Sequence, residues 1–344
     1  MHLLPNVFGK LPDGKRLDRI KQSPNYSNGE FKNMEPTVQL AEGASVPGIL
    51  LDAWKAPKDC TPSKPIAIDG SGISILDNQK VAITWFGHSS YLLQVMGKNI
   101  LVDPVFSKRA SFSNVVGPKR FPGVNFELET LPTVDIVLLT HDHYDHLDYQ
   151  VMLRLKESVK QFIMPLGVGA HLEHWGVKPD RITELDWWDE TILGEGLTIA
   201  ATPARHFSGR TLPRKTLWAS FVLKSMQHKL YIGGDSGYGI HFNLIGEKYG
   251  PFDIALLDSG QYNASWPYIH MQPEQTVQAA IDLRAKLLMP IHWGKFKLAF
   301  HPWNEPPDRV VAEAVNRNMP LVIPRIGSTI RLGEEYSLQE WWKD

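Results

Sequence analysis

Six consecutive residues, His141-Asp142-His143-Tyr144-Asp145-His146, carry the densest chemistry in this 344-residue chain. Three histidines and two aspartates packed so closely are costly alone, because neighbouring like charges and buried polar groups need partners. A metal ion balances them, and imidazole with carboxylate suits zinc and other borderline metals. The hexapeptide directly follows Asp135 to Thr140, an almost wholly apolar run that reads as a buried strand. A loop leaving a strand end can turn His141 and His143 toward one point, and Asp145 and His146 toward a second close by. Three further ligand types occupy other predicted strand ends: His206 after Ala200 to Arg205, Asp235 after Tyr231-Ile232-Gly233-Gly234, and His292 after Met289-Pro290-Ile291. Each alone reads as an ordinary polar residue. Together, all at strand ends, they point to a metal site.

The elements that must position these residues begin at Val81. Val81 to Phe86 reads as a buried strand, and Tyr91 to Val95 with Asn99 to Val102 reads as a hairpin around Gly97-Lys98. Tyr149 to Val159 has Met152, Leu155 and Val159 at helical spacing, with Asp148 placed to cap it. Gln161 to Leu166 and Leu197 to Thr202 read as strands, and Ser220 to Lys224 with Lys229 to Ile232 as a second hairpin. Asp253 to Leu257 and Leu287 to Ile291 are further strands around a helix predicted over Gln272 to Lys286, with Pro273 and Glu274 in its first turn. Strands and helices alternating in this way define an α/β class with sheets covered by helices. Residues 1–78 are different: prolines and glycines recur, and Lys21 to Gly29 is turn chemistry. They read as an extended arm packed through Phe31, Leu50, Leu51 and Trp54 on a main domain of residues 79–344.

Composition narrows the partners. The formal net charge is −1, from 36 basic and 37 acidic residues, so no global surplus draws the chain to nucleic acid. The single cysteine, Cys60, excludes an internal disulfide and has no neighbouring histidine to make it a nucleophile. No secretory leader or 20-residue apolar span is evident, which gives a cytoplasmic expectation, with peripheral membrane contact as its extension. No membrane-binding amphipathic helix is apparent. Trp187-Trp188 reads as core packing, and Trp341-Trp342 as a contact for lipid or a second copy of the chain.

The His-x-His-x-Asp-His pattern, followed in order by His206, Asp235 and His292, resembles the metallo-β-lactamase superfamily. Trp85 to Ser90, Asp103 to Ser107, Gly117 to Phe121, Gly234 to Tyr238, His270 to Glu274 and Ile291 to Phe296 are similar to one branch, the N-acylphosphatidylethanolamine phospholipases D. The arm shares that likeness through Ser23 to Tyr26 and Phe31 to Asn33. The resemblance implies a four-layer αβ/βα sandwich with two zinc ions, or manganese or iron in their place, at one edge. It implies His141, His143 and His206 on the first ion, Asp145, His146 and His292 on the second, and Asp235 bridging them. It also implies that Asp103 braces a ligand histidine and that His270 lies near a substrate phosphate, where it can donate a proton. Lys119 and Arg120 are basic candidates for that phosphate.

Two such ions about 3.5–4 Å apart share a hydroxide that attacks phosphorus or a carbonyl carbon. In the resembled branch the products are a phosphatidic acid and an N-acylethanolamine. Asp145, His146 and His270 are thus the expected catalytic set for a phospholipid or small-molecule substrate. The alternatives at this level are a lactonase, or a nucleotide or phosphosugar hydrolase of the same fold, and then a non-catalytic metal-binding protein. The same metals serve all these reactions, so ligand spacing does not separate them.

Overall fold

In the computed structural model, residues 5–70, 73 and 80–344 are described. The expected boundary of the arm near residue 78 lies outside them. The arm holds α1 (Gly14–Gln22), a small hairpin of β1 (Tyr26–Ser27) and β2 (Glu30–Phe31), and α2 (Val46–Lys55). Asn28 and Gly29 both take positive φ, 54° and 79°, as a two-residue hairpin turn of this hand requires. Ile20 and Phe31 are fully buried in the main core, so the arm is part of the packed body.

β3 (Ala82–Trp85), β4 (Tyr91–Val95), β5 (Lys98–Val102), β6 (Ile136–Leu138), β7 (Gln161–Pro165) and β8 (Ile182–Leu185) lie side by side in that order. β9 (Glu190–Gly194), β10 (Leu197–Thr202), β11 (Ser220–Lys224), β12 (Lys229–Ile232), β13 (Ile254–Asp258) and β14 (Leu288–Ile291) form a second sheet. β15 (Thr329–Arg331) closes the first sheet beside β3. The expected hairpin turn falls on Met96-Gly97, both at positive φ, one residue earlier than the sequence suggested.

Side-chain alternation makes the layers. Ile100, Val102, Ile136 and Leu138 face Leu230, Ile232, Ile254 and Leu256 in the core between the sheets. Leu101 and Val137 point the other way, onto α3 (Tyr149–Leu155) and α4 (Gly169–His174). Tyr231, Ala255 and Leu257 point onto α5 (His241–Tyr249), α6 (Pro273–Asp282) and α7 (Glu305–Arg317). Both faces of each sheet are therefore covered, which is why the central strands are apolar throughout. The result is the αβ/βα sandwich.

Helix ends and one aromatic pair depart from the sequence reading. α3 stops at Leu155 and α6 at Asp282, each a turn short of its apolar pattern. After α6, Arg284 takes a φ of 58°, which breaks the helix and returns the chain to β14. Trp341 and Trp342 are buried at 4% and 1% exposure against Trp293, so they serve packing rather than a lipid or subunit contact.

Candidate metal centre

The parallel strands of both sheets point their C-terminal ends to one edge, the usual place for a ligand in such sheets. β6 delivers Thr140 and the 141–146 loop; β5 delivers Asp103. From the second sheet, β10 leads to His206, β12 to Asp235, β13 ends on Asp258, and β14 leads to His292. The turn between β3 and β4 adds His88. Gly234 is required beside Asp235, because a Cβ there would lie 2.8 Å from the Ala219 carbonyl oxygen and from Thr140 Cβ. His88, Asp103 and His292 hold left-handed backbone at φ 56°, 39° and 68°, a strained conformation that collects at functional sites.

Seven side chains converge in two nests. In the first, His143 Nδ1 lies 2.9 Å from His141 Nε2 and 3.2 Å from His206 Nε2. In the second, Asp145 and His146 meet His292, with His146 Nε2 3.5 Å from Asp145 Oδ2. Asp235 divides its carboxylate between them. Oδ1 lies 3.1 Å from His146 Nε2 and 3.0 Å from His292 Nδ1, whereas Oδ2 lies 3.8 Å from His141 Nε2 and 3.7 Å from His206 Nε2.

Hydrogen bonds behind the rings set which nitrogen faces inward. His146 Nδ1–H donates to Asp103 Oδ2 at 2.7 Å. His141 Nδ1–H donates to Thr140 Oγ1 at 3.0 Å, and that hydroxyl donates on to Asp103 Oδ2 at 2.6 Å. His206 Nδ1–H donates to the Ile269 carbonyl at 2.9 Å. Each bond leaves an Nε2 lone pair aimed into a nest, the tautomer a metal ligand needs.

Electrostatics agree with that purpose. Burial, reinforced by His146 and His143, holds His141 well below the ordinary imidazole range, and burial does the same to His206. His146 is different: burial opposes its charge, but Asp235, Asp145 and Asp103 outweigh it and hold its pKa well above the ordinary value. Asp145 and Asp235 stay well below the usual carboxylate range; burial works against them and His146 prevails. Buried acceptors thus crowd around one imidazole. His146 Nε2, Asp235 Oδ1 and His292 Nε2 are buried without a properly directed hydrogen bond, an arrangement that divalent cations would satisfy. The donor set therefore fits two metal ions.

Sequence places His88 near the site without a partner and gives Asp258 no role; the structure supplies both. His88 is fully buried, donates from Nε2 to Asp145 Oδ2 at 2.9 Å, and stacks 4.0 Å from His292. Burial and then His292 depress its pKa to about 3, so it serves as a neutral donor. Asp258 accepts from His270 Nδ1 at 2.8 Å and, against burial, raises the His270 pKa. The His270 ring centre lies 5.0 Å from His292 and 5.2 Å from His206, and its side chain is 11% exposed, as is fitting for the mouth of the site. Asp142 turns away from both nests, accepting from His171, Thr216 and the Gly209 amide. Tyr144 packs under Arg210.

Lys119 and Arg120 are not brought into this cluster. Arg120 spends its fork on the Phe106 carbonyl and on Asn125, each at 2.6 Å, and Lys119 is exposed. The arm packs through Phe31, but not through Leu50, Leu51 and Trp54 as the sequence suggested. α2 has no buried residue, and Val46, Leu50, Leu51 and Trp54 are 48–82% exposed. Val46, Leu50 and Trp54 share one face at four-residue spacing.

Sheet order, paired nests and ligand sequence together define a metal-dependent hydrolase, and the chain belongs to the metallo-β-lactamase superfamily. Residues 98–293 match the beta-lactamase superfamily domain. An uncharacterised protein of Mycobacterium tuberculosis is 43% identical over 332 residues, covering 94% of this chain and 88% of that one. The N-acyl-phosphatidylethanolamine-hydrolyzing phospholipase D 1 of Caenorhabditis elegans is 34% identical over 229 residues, 62% of this chain and 64% of that protein. A metallo hydrolase from the archaeon Ignicoccus hospitalis shares the fold at a TM-score of 0.59 and 23% identity, covering 74% of this chain and all of that one.

Proposed function

We propose that this protein is a phosphodiesterase of phospholipase D type, acting on an N-acylated ethanolamine phospholipid or a close relative with two divalent ions, zinc first. The observation that carries the binuclear reading is Asp235, whose two oxygens face different nests. His141, His143 and His206 would hold one ion, Asp145, His146 and His292 the other, with Asp235 between. When bound, such ions supply Lewis acidity and lower the pKa of water. The protein's own share is orientation and proton handling. Asp103 and the Ile269 carbonyl fix the ring tautomers. His270, its pKa raised by Asp258 against burial, donates to a phosphoryl oxygen or to the departing alcohol oxygen. Water adds to phosphorus as the bond from phosphorus to the ethanolamine oxygen breaks, giving a phosphomonoester and an alcohol.

Lipid as substrate is supported by the named relative and by apolar surface near the site. Phe207 packs on His143 and His206, and exposed Phe112 touches Tyr144 of the ligand loop. The outward face of α2 suits a lipid surface. Among the described residues no helix is long and apolar enough to cross a membrane. The reading places the protein in the cytoplasm, with peripheral contact to the membrane. A screen of the metal-loaded protein decides it: N-acylphosphatidylethanolamine in mixed micelles, bis-p-nitrophenyl phosphate, and a panel of lactones. Release of an N-acylethanolamine is expected; turnover of lactones alone would transfer the assignment to a lactonase.

A further inference from the structure

We infer that Asn33, on the N-terminal arm, is a positioning residue for the first metal nest, acting through the backbone of His206. His206 lies beyond the end of β10, where neither its N–H nor its C=O has a partner strand, and it is 2% exposed. Buried backbone groups of this kind must be satisfied. Asn33 satisfies both. Its Nδ2 donates to the His206 carbonyl at 2.8 Å, and its Oδ1 accepts from the His206 N–H at 3.1 Å. The side-chain amide thus substitutes for a paired strand at one residue. Its orientation is fixed, because the Trp218 indole Nε1–H also donates to Oδ1 at 3.0 Å. A flipped amide would face two donors with its own NH2.

The ring of His206 is held from the other side by the Ile269 carbonyl. With backbone and Nδ1 both fixed, Nε2 has one direction left, toward His143 and Asp235. Among the described residues, no side chain outside the arm bonds the His206 backbone. The arm is therefore a component of the metal centre, although it contributes no ligand. Another attachment of the arm differs in kind: Glu35 accepts from the exposed Ile240 amide, which belongs to no ligand.

This inference rests on the binuclear reading above, and the test separates the two. Full-length protein would be titrated with Zn2+ against a competing chelator to give two stepwise dissociation constants, for wild type, Asn33→Ala, Asn33→Asp and Glu35→Ala. Loss of a partner behind a ligand typically weakens metal binding by roughly 10–100-fold. That loss is expected in one of the two steps for Asn33→Ala, with the other step within about threefold of wild type and Glu35→Ala unchanged in both. Asn33→Asp, which keeps the acceptor but sets a carboxylate against the His206 carbonyl, should also weaken that step, and it decides the matter if the alanine variant does not fold. Unchanged steps in the Asn33 variants, or equal losses in Glu35→Ala, would overturn the inference while leaving the binuclear site standing. A wild type that binds no zinc overturns both.

Discussion

The two nests share one carboxylate but are built differently. The first is three imidazoles, each held below its ordinary pKa by burial, with His141 and His206 facing Asp235 Oδ2 at 3.7–3.8 Å. The second adds the Asp145 carboxylate, brings Asp235 Oδ1 to 3.0–3.1 Å of its imidazoles, and has Asp103, Ser89 and His88 pressed around it. More negative charge at like burial favours a divalent cation more strongly. The second nest should bind its ion first and release it last, whereas the first depends on outside support from Ile269 and Asn33.

The largest break of this comparison is Asp235→Ala, which removes the shared carboxylate from both sides. It is expected to lose both ions and to cut kcat/KM by roughly a thousandfold or more, about 4 kcal/mol of transition-state stabilisation. Retention of near-native activity would refute the bridging role. Asp145→Ala comes next. It should leave about one metal per chain, held by the imidazole nest, with hydrolysis abolished and the circular dichroism spectrum unchanged. Asp103→Asn follows. Asp103 reaches His146 directly and His141 through Thr140, so both stepwise affinities should fall, each by about 10–100-fold. A loss confined to one step would show that the Thr140 link is idle.

The smallest effect calibrates the others. Asp253, remote from both nests, accepts from the Lys229 amide and from Lys286, and these outweigh burial to lower its pKa. A carboxylate with a lowered folded pKa contributes stability above its unfolded value, near pH 4, and loses it as pH falls through the folded value. Melting temperatures from pH 6 to pH 3 should therefore fall slightly less steeply in Asp253→Asn than in wild type.

The ligand set was legible because its signal is local. Four donors sit in one hexapeptide, and His206, Asp235 and His292 each follow an apolar strand by a few residues. Most central strands and both hairpins were legible for the same reason, since an apolar run bounded by turn residues needs no tertiary context, whereas the order of strands in each sheet was not. What escaped depends on contacts across the fold. His88 was legible as a residue near the site, but not its partner: a turn at positive φ sets it beside Asp145, 57 residues away in sequence. Asp258 stood at an anticipated strand end, but only the packing of the loop before α6 shows that it holds His270. α7 starts at Glu305 with Pro306-Pro307 in its first turn, where proline fits but its pattern does not announce a helix. α5 has no side-chain cap to announce it. The outward apolar face of α2 was hidden because sequence alone does not say which side of a helix meets the body.

The central claim is that Asp235 joins two nests into one binuclear centre. Metal content per chain, measured by inductively coupled plasma mass spectrometry on zinc-loaded and desalted protein, tests it most directly. The expected result is about two zinc ions in the wild type and close to none in Asp235→Ala. An active wild type with at most one ion, or two ions retained in Asp235→Ala, would contradict it.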